Sequence, residues 1–135
     1  MGVFYIDVEV VNIRRPGSKA AVRKLLVDSG SEYTWIPEAM LKRAKIQIVK
    51  KDLPFLMANG QTITRSVGYA IVRAAGFETV DEVVFGEPGD LSLLGSRTLE
   101  GFGAMVDAPR KRLVAGGPHP AAGDGGRQLR EREGE

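Results

Sequence analysis

Apolar and polar residues alternate from Val3 to Ile13: Phe4, Ile6, Val8 and Val10 share one face, while Tyr5, Asp7 and Glu9 fall on the other. A period of two sends successive side chains to opposite faces of an extended chain, so the segment predicts a half-buried strand. Arg15-Pro16-Gly17-Ser18 is a turn signal, and Ala20 to Val27 predicts the returning strand. Pro37, with its fixed φ, suits the first position of a short helix carrying Met40, Leu41 and Ala44; Ile46-Gln47-Ile48-Val49 is strand-like again. Leu53 to Ala58 and Gln61 to Arg73 flank Asn59-Gly60, a strong hairpin signal, because both central residues of a type I′ turn need positive φ. After a break at Ala74-Ala75-Gly76, the run Phe77 to Phe85 carries Val80, Val83 and Val84, and Gly86-Glu87-Pro88-Gly89-Asp90 closes it. Leu91 to Gly95 predicts a short buried strand, and Ser96 a cap for a brief helix containing Leu99 that Gly101 or Gly103 ends. Ala104-Met105-Val106-Asp107 and Arg112-Leu113-Val114-Ala115 predict a last pair of strands around Ala108-Pro109-Arg110-Lys111.

Many short strands, little helix and dense turn signals predict a mainly β fold, a small barrel or sandwich. From Gly116 onward no periodic apolar face remains, so residues 1–115 read as one folded domain and 116–135 as a flexible tail rich in Gly, Pro and charge. A chain of 135 residues with 43% apolar and 27% charged residues suits one soluble domain with a real core. The formal net charge is only +2, and no basic face interleaved with aromatics emerges, so a nucleic-acid partner is not expected. No apolar run approaches the ~20 residues a membrane span needs. Met1 to Tyr5 has no basic flank, and Asp7 interrupts the apolar pattern, so no signal peptide is read and a cytoplasmic location is expected.

The absence of cysteine removes disulfides, thiolate chemistry and zinc–thiolate sites together. His119, the only histidine, stands between two prolines without companions, so neither a metal site nor a histidine-activated serine is expected. The tail glycines do not open a helix after a strand, which argues against a phosphate loop. No cofactor is expected.

The stretch with chemical content is Leu25-Leu26-Val27-Asp28-Ser29-Gly30-Ser31, where an apolar run ends in a carboxylate. A charge at the end of a buried strand is costly unless it is held or used. Taken alone, Asp28-Ser29-Gly30 is equally an ordinary turn, with Asp28 bonding its own backbone, or the start of a helix capped by Ser31. Trp35 reads as core.

Three features follow in order: a strand ending in Asp28-Ser29-Gly30, a hairpin tipped by Asn59-Gly60, and Leu93-Leu94-Gly95 before a short helix. Over roughly residues 3–115 this order resembles the retropepsin-like aspartic proteases, single-domain relatives of the pepsin fold. The resemblance implies a small closed β-barrel with a flap hairpin and one or two short helices. It implies catalysis by Asp28, Ser29 and Gly30, with Ser31 and Glu32 after them, and Ala58, Asn59 and Gly60 at the flap tip, binding the substrate backbone. Two departures stand out: Glu32 occupies a position where viral-type members usually carry aspartate, and Ser96 precedes Arg97 where many carry arginine directly after the glycine.

Hydrolysis of a peptide without metal or covalent nucleophile needs one carboxylate to take a proton from water and a second carboxyl to give one to the carbonyl oxygen. This chain has a single Asp-Ser/Thr-Gly, so the second carboxyl must come from a second copy. A homodimer with two Asp28 residues at its axis, acting on an extended peptide or protein substrate, is therefore expected. The alternative is a retropepsin-like dimerisation or peptide-binding module that cleaves little or nothing.

Overall fold

The computed structural model describes residues 3–118, 120 and 121. Most of the tail expected over 116–135, His119 included, lies outside the described residues. Eleven elements follow in order: β1 (Tyr5–Val11), β2 (Lys19–Val27), β3 (Thr34–Pro37), α1 (Glu38–Arg43), β4 (Ile48–Leu56), β5 (Thr62–Ala74), β6 (Phe77–Gly86), β7 (Leu93–Leu94), α2 (Ser96–Phe102), β8 (Ala104–Asp107) and β9 (Arg112–Ala115). Seven strands form one sheet in the order β1-β2-β7-β3-β6-β5-β4, and β1 also pairs with β5, from Glu9↔Arg73 to Val11↔Ile71. That last pairing closes six strands into a ring, leaving β4 as an outer strand bound to β5 alone. The chain is a small, mainly β, closed ring of strands. β8 and β9 form a separate two-stranded sheet.

The central strands β3 and β7 and the second half of β6 explain how so small a ring supports a cleft. Neighbouring residues on each of them go to different cores: Ile36, Val83 and Leu94 join the main cluster, while Trp35, Val84 and Leu93 join a second one. Side chains alternate across a strand, so Trp35-Ile36, Val83-Val84-Phe85 and Leu93-Leu94 are apolar on both faces and read as short unbroken hydrophobic runs. Parallel pairing of β3 with β6 and of β2 with β7 fits that double burial. The second cluster has Leu53, Phe55, Met57 and Ile63 packed against it, all from the β4–β5 hairpin or its turn. The hairpin therefore lies over one face of the barrel.

Several local expectations shift by a residue or change type. Pro37 ends β3 and caps α1, one position before the first helical residue where it was expected. Ser96 is the first residue of α2 and caps nothing; Gly95 is the N-cap, and Gly103, at φ +66, ends the helix. The two separate strand runs around Lys50 are one strand, β4, bent by irregular register between Ile48 and Leu53 with Asp52 at φ +54.

The type I′ turn expected at Asn59-Gly60 occurs elsewhere. At Asn59-Gly60 only Gly60 has positive φ, +86, and its N–H donates to Met57 O at 2.9 Å. Met57 N also donates to Gln61 O at 2.8 Å, making a three-residue loop with glycine in the left-handed position. The type I′ geometry appears instead between β5 and β6, where Ala75 (φ +52) and Gly76 (φ +84) separate the paired Ala74 and Phe77.

Candidate active site

Asp28 follows the last residue of β2, and its N–H donates to Leu94 O at 3.0 Å, so the central strand β7 anchors it. The chain then turns tightly: Ser31 N donates to Asp28 O at 3.2 Å. Each carboxylate oxygen accepts one bond from its own loop. Gly30 N–H lies 3.0 Å from Oδ1 and Ser31 Oγ lies 3.0 Å from Oδ2. A bare glycine suits this approach, since a Cβ on Gly30 would stand 3.2 Å from Asp28 Oδ1. Asp28 is half-buried, whereas Ser29 and Gly30 are exposed.

The loop is held from below by α2. Ser96 N and Arg97 N, unsatisfied amides of the first turn, donate to Ser31 O (2.7 Å) and Glu32 O (3.1 Å). Beneath them runs a buried polar chain: Gly95 N donates to Thr34 Oγ1 (2.9 Å), Thr34 and Thr98 share a hydroxyl–hydroxyl bond of 2.5 Å, and Thr98 Oγ1 donates to Asp81 Oδ2 (2.9 Å). Thr34 and Thr98 are fully buried, so each hydroxyl needs these partners.

Asp28 opens into a cleft of about 650 Å³, floored by Tyr33, Trp35 and Leu93 and roofed by the hairpin from Leu53 to Ala58. Phe55 packs on the floor, with ring centroids 5.3 Å from Tyr33 and 5.1 Å from Trp35. A second tie joins hairpin and wall: Arg65 on β5 donates twice to Asp90, at 2.7 and 2.9 Å. Arg65, hydrogen-bonded in this fork, holds the Asp90 carboxyl below its ordinary range despite partial burial. Asp90 and the exposed Leu91 line the same cleft. No group of three or more His, Cys, Asp or Glu among the described residues is arranged to hold a metal ion, and no described helix is long and apolar enough to cross a membrane.

The family model described as "gag-polyprotein putative aspartyl protease" matches residues 19–101, more than half of the chain. The chain belongs to that family. This retropepsin-like aspartyl protease domain is similar to the retroviral protease-like domain of Ddi1 from Leishmania major, with 14% identity, 85% of this chain and 89% of that chain covered, and a TM-score of 0.55. It is also similar to the simian foamy virus (mac) protease, at 22% identity, 71% and 91% coverage and a TM-score of 0.47. No curated protein sequence matches the domain.

In this aspartyl protease domain the residues expected at the site fall into two groups. Asp28, Gly30, Ser31, Glu32 and Ala58 line one cleft; Ser29 is exposed on the turn beside it, and Asn59 and Gly60 lie beyond its rim at the hairpin tip. Ser31, expected beside the substrate backbone, also touches the carboxylate itself. Trp35 is buried as expected and at the same time forms cleft floor. Arg97, displaced by one residue from the family pattern, lays its guanidinium 4.8 Å above the Tyr33 ring and donates to Glu82 at 3.2 Å. The Thr34–Thr98–Asp81 chain and the Arg65–Asp90 pair were missed. Nothing local marks them, because their partners lie 64, 17 and 25 residues apart.

Proposed function

We propose that the protein is a homodimeric aspartic endopeptidase in which Asp28 of each copy acts on a water molecule bound between them. The observation that carries this reading is the setting of Asp28, half-buried at one end of a peptide-sized cleft with each oxygen held by one donor of its own loop. Those bonds fix the carboxylate's orientation while it still faces the exposed turn. One carboxyl of the pair then takes a proton from water as the other gives one to the substrate carbonyl oxygen. Asp90, another carboxylate of the cleft, is engaged by Arg65, which argues against its serving as the second carboxyl. Tyr5 is 59% exposed on β1, paired with Leu26 just before the Asp28 turn, and offers apolar surface for association. The substrate lies extended under the Met57–Gln61 tip, with main-chain bonds to Ala58, Asn59 and Gly60 on one side and Ser31 and Glu32 on the other.

The test is digestion of a denatured protein mixture from mildly acidic to neutral pH by wild type and Asp28→Asn, with sedimentation of both. Wild type should sediment as a dimer and cleave, and Asp28→Asn should lose activity by about 10² or more while staying folded. Equal cleavage by the variant, or full activity from a monomer, would refute the assignment. Peptide capture without cleavage by wild type would favour the binding module, a reading helped by the aromatic packing of Phe55 on the cleft floor.

A further inference from the structure

A second cleft, of about 500 Å³, lies at the base of the β4–β5 hairpin, lined by Arg14, Arg15, Lys45, Val49 and Tyr69 among others, and by no carboxylate. None of the three cations has an ion-pair partner among the described residues, whereas Arg65, Arg73 and Arg97 do. Asn12 assembles the group. Its Oδ1 accepts from Arg14 N (2.9 Å) and Arg15 N (3.0 Å), and its Nδ2 donates to Ala44 O (3.2 Å) and Lys45 O (2.8 Å). One amide thus fastens the Arg14-Arg15 turn to the end of α1. It also occupies carbonyls at the helix end that would otherwise repel an anion.

A continuous line of contacts joins this cleft to the Asp28 cleft. Tyr33, on the Asp28 cleft floor, carries the Arg97 guanidinium; Arg97 and Lys50 both bind Glu82, at 3.2 and 2.9 Å; and Glu82 pairs across strands with Tyr69, which lines the basic cleft. Lys50 and Arg97 thus lie along this strip, both on Glu82, with Asp81 also near Arg97.

We infer that the basic cleft is an exosite for an acidic segment of the same polypeptide whose apolar portion enters the Asp28 cleft. The continuity of the two surfaces selects that occupant. A nucleic acid carries charge uniformly and is repelled at the far end by Asp28 and Glu32, while a polypeptide presents a neutral stretch there and its acids to Arg14, Arg15 and Lys45. The inference rests on the Asp28 cleft being a peptide cleft.

The test uses the non-cleaving Asp28→Asn protein and fluorescein-labelled peptides: an apolar octapeptide joined through a Gly-Ser spacer, at either end, to four glutamates or to four glutamines. Anisotropy should show at least one glutamate peptide bound about tenfold more tightly than its glutamine counterpart at low ionic strength, an advantage that shrinks with salt. Adding Arg14→Gln, Arg15→Gln and Lys45→Asn should erase it while leaving the glutamine peptides and the melting temperature unchanged, since Asn12 binds only main-chain atoms there. Equal binding of the glutamate and glutamine peptides, or an advantage that survives the triple change, would overturn the exosite. Tighter capture of an oligo(dT) 12-mer, lost in the triple variant, would overturn it in favour of a nucleic-acid site. Failure of the peptide-cleft reading looks different: the glutamine peptides do not bind at all, and the glutamate run binds equally well without the octapeptide, which removes the link between the clefts.

Discussion

A single methyl group at Gly95 tests how the Asp28 loop is held. A Cβ there would stand 2.7 Å from the Tyr33 carbonyl carbon and 2.8 Å from Glu32 O, and closer still to Tyr33 O. All three atoms belong to the main chain, so no side chain can turn aside. Restoring ordinary contact needs a relative displacement of roughly 1 Å between β7 and the loop. The same displacement stretches the bonds from Gly95 N to Thr34 Oγ1, Ser96 N to Ser31 O and Arg97 N to Glu32 O. With overpacking at about 1–3 kcal/mol and each weakened bond at up to about 1 kcal/mol, Gly95→Ala should cost about 3–5 kcal/mol. That is a large share of a small domain's stability and lowers Tm by roughly 10–20 °C. Urea and thermal denaturation followed by circular dichroism, and by the fluorescence of the single Trp35, measure it. Gly17→Ala is the control, because nothing lies within 4 Å of that Cβ, and it should stay within about 1 kcal/mol of wild type. A Gly95→Ala protein as stable as wild type would refute the close-approach account of Leu93-Leu94-Gly95.

Three further outcomes follow from the geometry. Ala75 adopts φ +52 at the first central position of its hairpin turn, so Ala75→Asn should raise stability by about 0.5–1 kcal/mol; an unchanged urea midpoint would count against strain there. Arg65 and Asp90 are only about 15% exposed, so Arg65→Met strands a carboxylate and should cost about 2–4 kcal/mol, with Arg65→Met/Asp90→Asn recovering part of it; strictly additive losses would show that the two are uncoupled. The Glu82 carboxyl is held below its ordinary value of 4.5, chiefly by the Lys50 hydrogen bond working against burial, with Arg97 adding to it. A lowered carboxyl value means stability fully present above pH 4.5 and lost as pH falls through the folded-state value, so Glu82→Gln should flatten the loss of stability below pH 4.5, as read from urea midpoints on a pH series.

Local grammar carried most of the element order. Alternation placed β1, turn signals and apolar runs placed β2 and β6, and glycine with a left-handed φ ended α2 at Gly103. What local grammar could not do was rank competing turns. Asn59-Gly60 is the better type I′ dipeptide, yet that geometry occurs at Ala75-Gly76, where the register from Val67↔Val84 to Ala74↔Phe77 leaves only two residues to reverse the chain. Ring closure demands that register, and the turn adopts the strained conformation that satisfies it. Nor does spacing along the chain show that Arg14, Arg15 and Lys45 share a cleft, since Asn12 joins them by bonds spanning 2 to 33 residues.

The sequence by itself determined that one carboxylate stands at the end of an apolar strand, that a hairpin follows it, and that Leu93-Leu94-Gly95 precedes a short helix, because these are properties of single segments. Tertiary structure alone decided what surrounds that carboxylate. Leu94 takes its backbone N–H, Ser31 reaches its outer oxygen, and Phe55 and Arg65 tie the hairpin over and beside it. The physical reason is that burial and hydrogen-bond satisfaction depend on which segments meet, and runs such as Trp35-Ile36, Val83-Val84-Phe85 and Leu93-Leu94, apolar on both faces, acquire their two sides only when the ring closes.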